Sequence, residues 1–291
     1  MITEDIIWEE VWPVVERLIQ ATLAEDNNQI AALVMPGEQA ADMLDLFGFA
    51  VFDILLKTVL GRERLGLSRA IEADNGRFVF IEYAWPDPAS PDNSYTAADV
   101  VSVKLTRHQN QWHIVEINPA TADLPLTGPR ARGILTTSKI LSEKDKVPAE
   151  PWILPIALYA GLLQLPLQPT AMQDPVEELL LPGLQHRTYG VMSLIRARRL
   201  WRDFRKVATP SLEKPAAWAA AVEFIMNEQN MRDLTQAAVG KQYKVGLASL
   251  VPRIKQIKKA LNIQGLDERY TDIQSTQIVY KDDHQHNNGE S

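Results

Sequence analysis

The chain has 291 residues, 46% hydrophobic and 23% charged, the composition of a folded soluble protein with room for about two domains. It has no cysteine, which excludes disulfides, thiolate-held zinc, iron–sulfur clusters and a thiol nucleophile. The net charge of −7 hides a sorting along the length: residues 1–120 hold 8 Lys+Arg against 19 Asp+Glu, whereas residues 186–270 hold 16 against 7. These blocks carry −11 and +9, with −2 over residues 121–185 and −3 over residues 271–291. Opposite signs in the two halves predict at least two units with different partners.

Ile6, Ile7, Val11, Val14, Val15, Leu18, Ile19 and Leu23 recur at helical spacing, predicting an amphipathic first helix. Asp5 and Glu9 suit its N-terminal dipole, and Pro13 predicts a kink. The acidic stretch Met1–Glu10 does not have the basic start of a secretory leader. Gln29–Met35 reads as a second helix ended by Pro36-Gly37. Glu38–Leu60 reads as a third, apolar along Leu44, Phe47, Val51, Phe52, Leu55 and Leu56, and stopped by Gly61.

The period then changes from helical to alternating. Leu65–Ala73 and Arg77–Trp85 read as strands joined by an Asp74-Asn75-Gly76 turn. Ala98–Thr106 alternates, with Val101, Val103 and Leu105 on one face. After His108-Gln109-Asn110 turns the chain, Gln111–Asn118 places Trp112, Ile114, Glu116 and Asn118 on one side and His113, Val115 and Ile117 on the other. Residues 119–175 are dense in proline, which predicts a linker carrying one short hydrophobic helix, Pro151–Leu165. Its apolar run Ile153–Leu165 is shorter than the roughly 20 residues of a membrane span. No membrane partner and a cytoplasmic location are expected. Pro175–Leu181, Tyr189–Val207, Pro215–Glu228, Leu234–Tyr243 and Leu247–Leu261 read as helices, and the polar tail after Asp272 as disordered.

The predicted fold class is α+β. Residues 1–120 form an acidic cone-like domain of three helices on a curved antiparallel sheet. Residues 121–175 are the proline-rich linker, 176–272 a basic all-α domain with a helix-turn-helix, and 273–291 the tail.

Two resemblances follow. In the front half, a long helix leads to Ala24-Glu25-Asp26-Asn27-Asn28-Gln29-Ile30-Ala31-Ala32-Leu33. The last strand of that half reads Gln111-Trp112-His113-Ile114-Val115-Glu116-Ile117-Asn118-Pro119. This half resembles the nuclear-transport-factor-two-like superfamily, which includes SnoaL-like enzymes. The resemblance implies a cone with a pocket between sheet and helices. Catalysts of that superfamily need an Asp or Glu base with Tyr or His donors. Asp45, Asp53, Tyr83, Trp85 and His113 are the candidates for such a pocket. No ordered motif links them, and no catalytic residue is assigned.

In the back half, Leu234-Thr235-Gln236-Ala237-Ala238-Val239-Gly240-Lys241-Gln242-Tyr243-Lys244-Val245-Gly246-Leu247-Ala248-Ser249-Leu250 leads to Arg253-Ile254-Lys255. This is similar to the helix-turn-helix of transcription factor B-type cyclin repeats. Thr235 or Asp233 suits the first N-cap. Lys244 stands where such turns usually hold glycine, Gly246 where they hold Ser or Thr, and Pro252 predicts a kinked second helix.

Two basic faces are candidates for nucleic acid: Arg196, Arg199, Arg202, Arg205 and Lys206 on one helix, and Arg253, Lys255, Lys258 and Lys259 on the last. No phosphate-cradling glycine loop and no G-x-S-x-G elbow is present, and no cofactor is expected. His284-Gln285-His286 beside Asp282 and Asp283 could hold a metal only weakly. The sequence therefore points first to a non-enzymatic regulatory protein associated with DNA or another polyanion. The alternatives are an interaction protein whose helix-turn-helix only packs, and a small-molecule binder or isomerase-like enzyme using the cone. The opposite charges of the halves also permit contact between them, or a homo-oligomer.

Overall fold

The computed structural model describes residues 4–56, 66–73, 78–84, 100–119 and 157–271. The Asp74-Asn75-Gly76 turn, Trp85, residues 121–156 of the expected linker and the 273–291 tail lie outside these residues. The chain divides into two compact units, Met1–Leu158 and Tyr159–Ser291. The architecture is α+β: helices and one antiparallel sheet in the first unit, helices in the second.

The first unit opens with α1 (Glu4–Ile6), a π-turn over Ile7–Val11 and α2 (Trp12–Leu23). Pro13 sits in the first turn of α2. It cannot donate to the carbonyl four residues earlier, and the preceding residues widen into the π-turn; this replaces the simple kink expected there. The second helix, α3, runs Asn27–Leu33 and so starts earlier than expected. The reason is Asp26, whose carboxylate accepts the Asn28 and Gln29 amides at 3.0 Å each.

The third predicted helix is broken. It is two elements, α4 (Gln39–Phe47) and α5 (Phe49–Leu55), separated by Gly48 at φ 65°, ψ −158°. That region is open essentially to glycine alone. The bend lets Met43, Leu46 and Phe47 on one arm and Val51, Phe52 and Leu55 on the other all be buried.

The sheet is a meander, β1 (Gly66–Ala73), β2 (Phe78–Ala84), β3 (Val100–His108) and β4 (Gln111–Pro119), in sequence order. Gln109 and Asn110 both have positive φ, 49° and 63°, which matches the two-residue turn that the right-handed strand twist favours. The expected strict alternation of β4 fails at a β-bulge. Lys104 pairs with Glu116, but Leu105 pairs with Ile114, leaving Val115 as the extra residue. The buried face thus passes from Trp112 and Ile114 to Val115 and Ile117. Opposite that face, Lys104 reaches Glu116 at 3.0 Å.

In the second unit the expected hydrophobic helix does not reach Leu165. Residues 157–159 are helical and the chain then leaves the helix through Gly161, at φ 77°. The helices that follow are α6 (Pro175–His186), α7 (Val191–Val207), α8 (Pro215–Gln229), α9 (Gln236–Gln242) and α10 (Leu247–Leu261). α6 is longer than expected, running through Pro182. The other four match their predicted spans to within two residues. α8 is the hub, packing against α6, α7, α9 and α10. Its run Ala217-Trp218-Ala219-Ala220-Ala221-Val222 is buried on all sides, as expected of a helix apolar all round. Trp201, Phe204 and Trp218 stack there with ring centroids 5.3 to 5.9 Å apart.

Candidate nucleic-acid interface

The α9–turn–α10 segment is built by local rules. Thr235 caps α9, its hydroxyl accepting the Ala238 amide at 3.2 Å. The turn closes through the Val245 amide, which donates to the Gly240 carbonyl at 2.8 Å, with Lys244 in the left-handed region at φ 56°. Gly240 permits this closure: a Cβ there would lie 2.8 Å from the Val245 carbonyl oxygen. Gly246 starts α10 without a side-chain cap.

Leu250, Ile254, Ile257 and Leu261 bury one stripe of α10. The opposite stripe, Ala248, Pro252, Lys255, Gln256 and Lys259, is exposed, and Leu247 at its start is 48% exposed. The helix runs unbroken through Pro252 to Leu261. Beside the proline, Arg253 turns back: its Nη1 donates to the Ser249 carbonyl at 2.7 Å and to Ser249 Oγ at 3.0 Å. Its guanidinium also lies 4.9 Å from the Trp218 ring centroid. Lys258 pairs with Glu228 at 2.7 Å. Lys255 and Lys259 have no carboxylate partner among the described residues, nor do Lys241 and Lys244, exposed at the end of α9 and in the turn.

The other basic face is arranged differently. Arg202 grips Glu177 with two bonds, at 2.7 and 3.1 Å, and donates to the Ala171 carbonyl at 2.9 Å. Arg205 reaches Asp174 at 2.5 Å. Asp174 also caps α6 and accepts the Trp201 indole N–H at 2.9 Å. Burial pushes the Asp174 carboxyl up, but the bonds from Trp201, the Glu177 and Val176 amides and Arg205 outweigh it and hold it below the ordinary value of 3.8. Lys206 pairs with Asp203, while Arg196 and Arg199 are half-buried. Arg202 and Arg205 thus tie α7 to the start of α6.

A cluster that the sequence did not suggest pins the turn from behind. Glu223 on α8 is fully buried. Arg187, which ends α6, holds it bidentately, with Nε to Oε1 at 2.7 Å and Nη2 to Oε2. Tyr243, which ends α9, donates to Glu223 Oε2 at 2.5 Å and accepts from Arg187 Nη2 at 2.7 Å. Burial, and then the Glu223 charge, push the Tyr243 phenol far up. Gly183 leaves the room: a Cβ there would meet Arg187 Nη2 at 2.7 Å and the Tyr243 hydroxyl at 3.1 Å. The available signal was one carboxylate in the apolar sequence Ala219-Ala220-Ala221-Val222-Glu223-Phe224-Ile225.

Of the pocket candidates, Trp85 lies outside the described residues, and Asp45, Asp53, Tyr83 and His113 belong to four different elements. Asp45 is exposed on α4, and Asp53 half-buried on α5. Tyr83 lies in β2, opposite Leu67 and Val101. His113 faces His108 edge-on at 6.3 Å, and its Nδ1 is buried without a partner among the described residues. Polar groups that meet between the helical segments and the sheet include Gln39, whose Nε2 donates to Asn118 Oδ1 at 2.8 Å and whose Oε1 accepts the Ile117 amide at 2.9 Å, and Glu10, which accepts the Trp112 indole N–H at 3.0 Å. Among the described residues no helix is long and apolar enough to cross a membrane.

No family model matches the chain, and no solved structure matches it. A curated protein described as "Uncharacterized protein YccF", from Bacillus subtilis (strain 168), is 34% identical over 81 residues. The match covers 27% of this chain and 23% of that protein, so the chain spans less than a quarter of the length of this relative.

Proposed function

We propose that this chain is a non-enzymatic, nucleic-acid-associated regulatory protein. In this reading α9, its turn and α10 act as a helix-turn-helix on duplex DNA, and the acidic first unit is a cone-like sensing or dimerising domain. The observation that carries it is the quartet Lys241, Lys244, Lys255 and Lys259, exposed and without carboxylate partners among the described residues. Other basic side chains of the unit, Arg202, Arg205 and Lys258, are committed to acids. Uncommitted lysines release counterions when they meet phosphates, so binding is expected to weaken steeply with salt. Fluorescence anisotropy of the full chain with a labelled duplex tests this. Binding is expected at low salt, with Lys255→Glu plus Lys259→Glu weakening it at least about tenfold. No binding at low salt, or binding indifferent to salt, refutes the reading.

A second reading is favoured by Leu247, 48% exposed at the start of α10: an interaction protein whose hairpin packs on a protein partner. It predicts that the double lysine variant leaves the chain's behaviour unchanged.

A further inference from the structure

We infer that the α10 face holds duplex DNA by its phosphates alone and does not read bases. This rests on the proposed contact with DNA, and it runs against what a helix-turn-helix ordinarily does. In such motifs the first residues of the second helix touch base edges in the major groove. Here those residues are Leu247, Ala248, Ser249 and Pro252. Leu247, Ala248 and Pro252 carry no side-chain donor or acceptor. Ser249 is half-buried, and its hydroxyl accepts from Arg253 at 3.0 Å.

The side chain best suited to guanine is the arginine fork. α10 has a single arginine, Arg253, and it is spent on Ser249 and on the Trp218 ring. What remains outward is lysine, a flexible point charge that meets a phosphate as well as it meets anything. The exposed face of α10 also carries no aromatic ring, so it offers no stacking platform for unpaired bases. Gln256, exposed one position beyond Lys255, is the one side chain on this face with the amide geometry that pairs adenine. It is therefore the control residue.

The test uses the full chain and three labelled duplexes of equal length: A·T-rich, G·C-rich and mixed. A single strand of the mixed sequence is the fourth probe. The expected result is that the three duplexes bind within about threefold of one another and more tightly than the single strand. With up to four phosphates neutralised, affinity is expected to fall about a hundredfold between about 50 and 200 mM salt. Gln256→Ala is expected to change none of these, and Lys241→Glu plus Lys244→Glu to weaken all three duplexes alike. A preference above about twentyfold for one duplex overturns the inference while leaving the contact with DNA standing, and its loss in Gln256→Ala identifies the amide as the reader. Tighter binding to the single strand overturns it as well. Absence of binding to every probe at low salt removes the proposed function itself.

Discussion

Glu223 shows what one misplaced charge tells. It sits on a helix whose neighbours are apolar, it is wholly buried, and its two oxygens are taken by Arg187 and Tyr243. Truncating one partner of a buried pair leaves the other uncompensated. Glu223→Ala is therefore expected to cost about 3–5 kcal/mol, whereas Tyr243→Phe, which keeps the ion pair but loses a bond to a charged group, is expected to cost about 1.5–3 kcal/mol. Urea unfolding of the full chain measures both, and a loss below 1 kcal/mol for Glu223→Ala contradicts the buried-pair account. At this scale the sequence was legible only in part. Lys255 and Lys259 were visible as basic and are exposed as such. Arg202 and Arg205 looked the same on paper, but their carboxylates, Glu177 and Asp174, lie 25 and 31 positions earlier. No local pattern reports a partner at that separation.

At the scale of elements, the last helix was read to the residue, because Leu250, Ile254, Ile257 and Leu261 keep an unbroken helical period. The same rule misread residues 38–56, the described part of the expected third helix. Leu44, Phe47, Val51 and Leu55 keep helical spacing straight across Gly48, so hydrophobicity does not register the break. Only the backbone angle does. Gly48→Ala forces a Cβ into a region it avoids and is expected to destabilise the first unit by about 1–3 kcal/mol. Thermal unfolding followed by circular dichroism checks this; an unchanged midpoint means that α4 and α5 can fuse into one helix. The bulge at Val115 was hidden for a related reason. A bulge is defined by two residues opposing one on the neighbouring strand, and β4 alone cannot show it.

Across the whole molecule, each unit has its own core, and the charge is sorted between them. The full chain carries −7, but residues 159–291 hold 17 Lys+Arg against 14 Asp+Glu, net +3. That segment has its own aromatic and aliphatic core around α8, and it is expected to fold when expressed alone. Net charge governs long-range steering. Stopped-flow association with duplex DNA is thus expected to be faster for the isolated segment than for the full chain at low salt, with the difference vanishing once the screening length shrinks below about 10 Å. Equal rates at low salt would remove net charge as the controlling factor. The sequence made this asymmetry plain, since it needs only counting. What it could not show is that α8 touches every other named helix of its unit. The amides in the middle of α8, from Ala219 to Met226, are buried and lie away from its ends. They are expected to exchange with deuterium only when the unit opens as a whole, so that their exchange rate reads out its global free energy of unfolding.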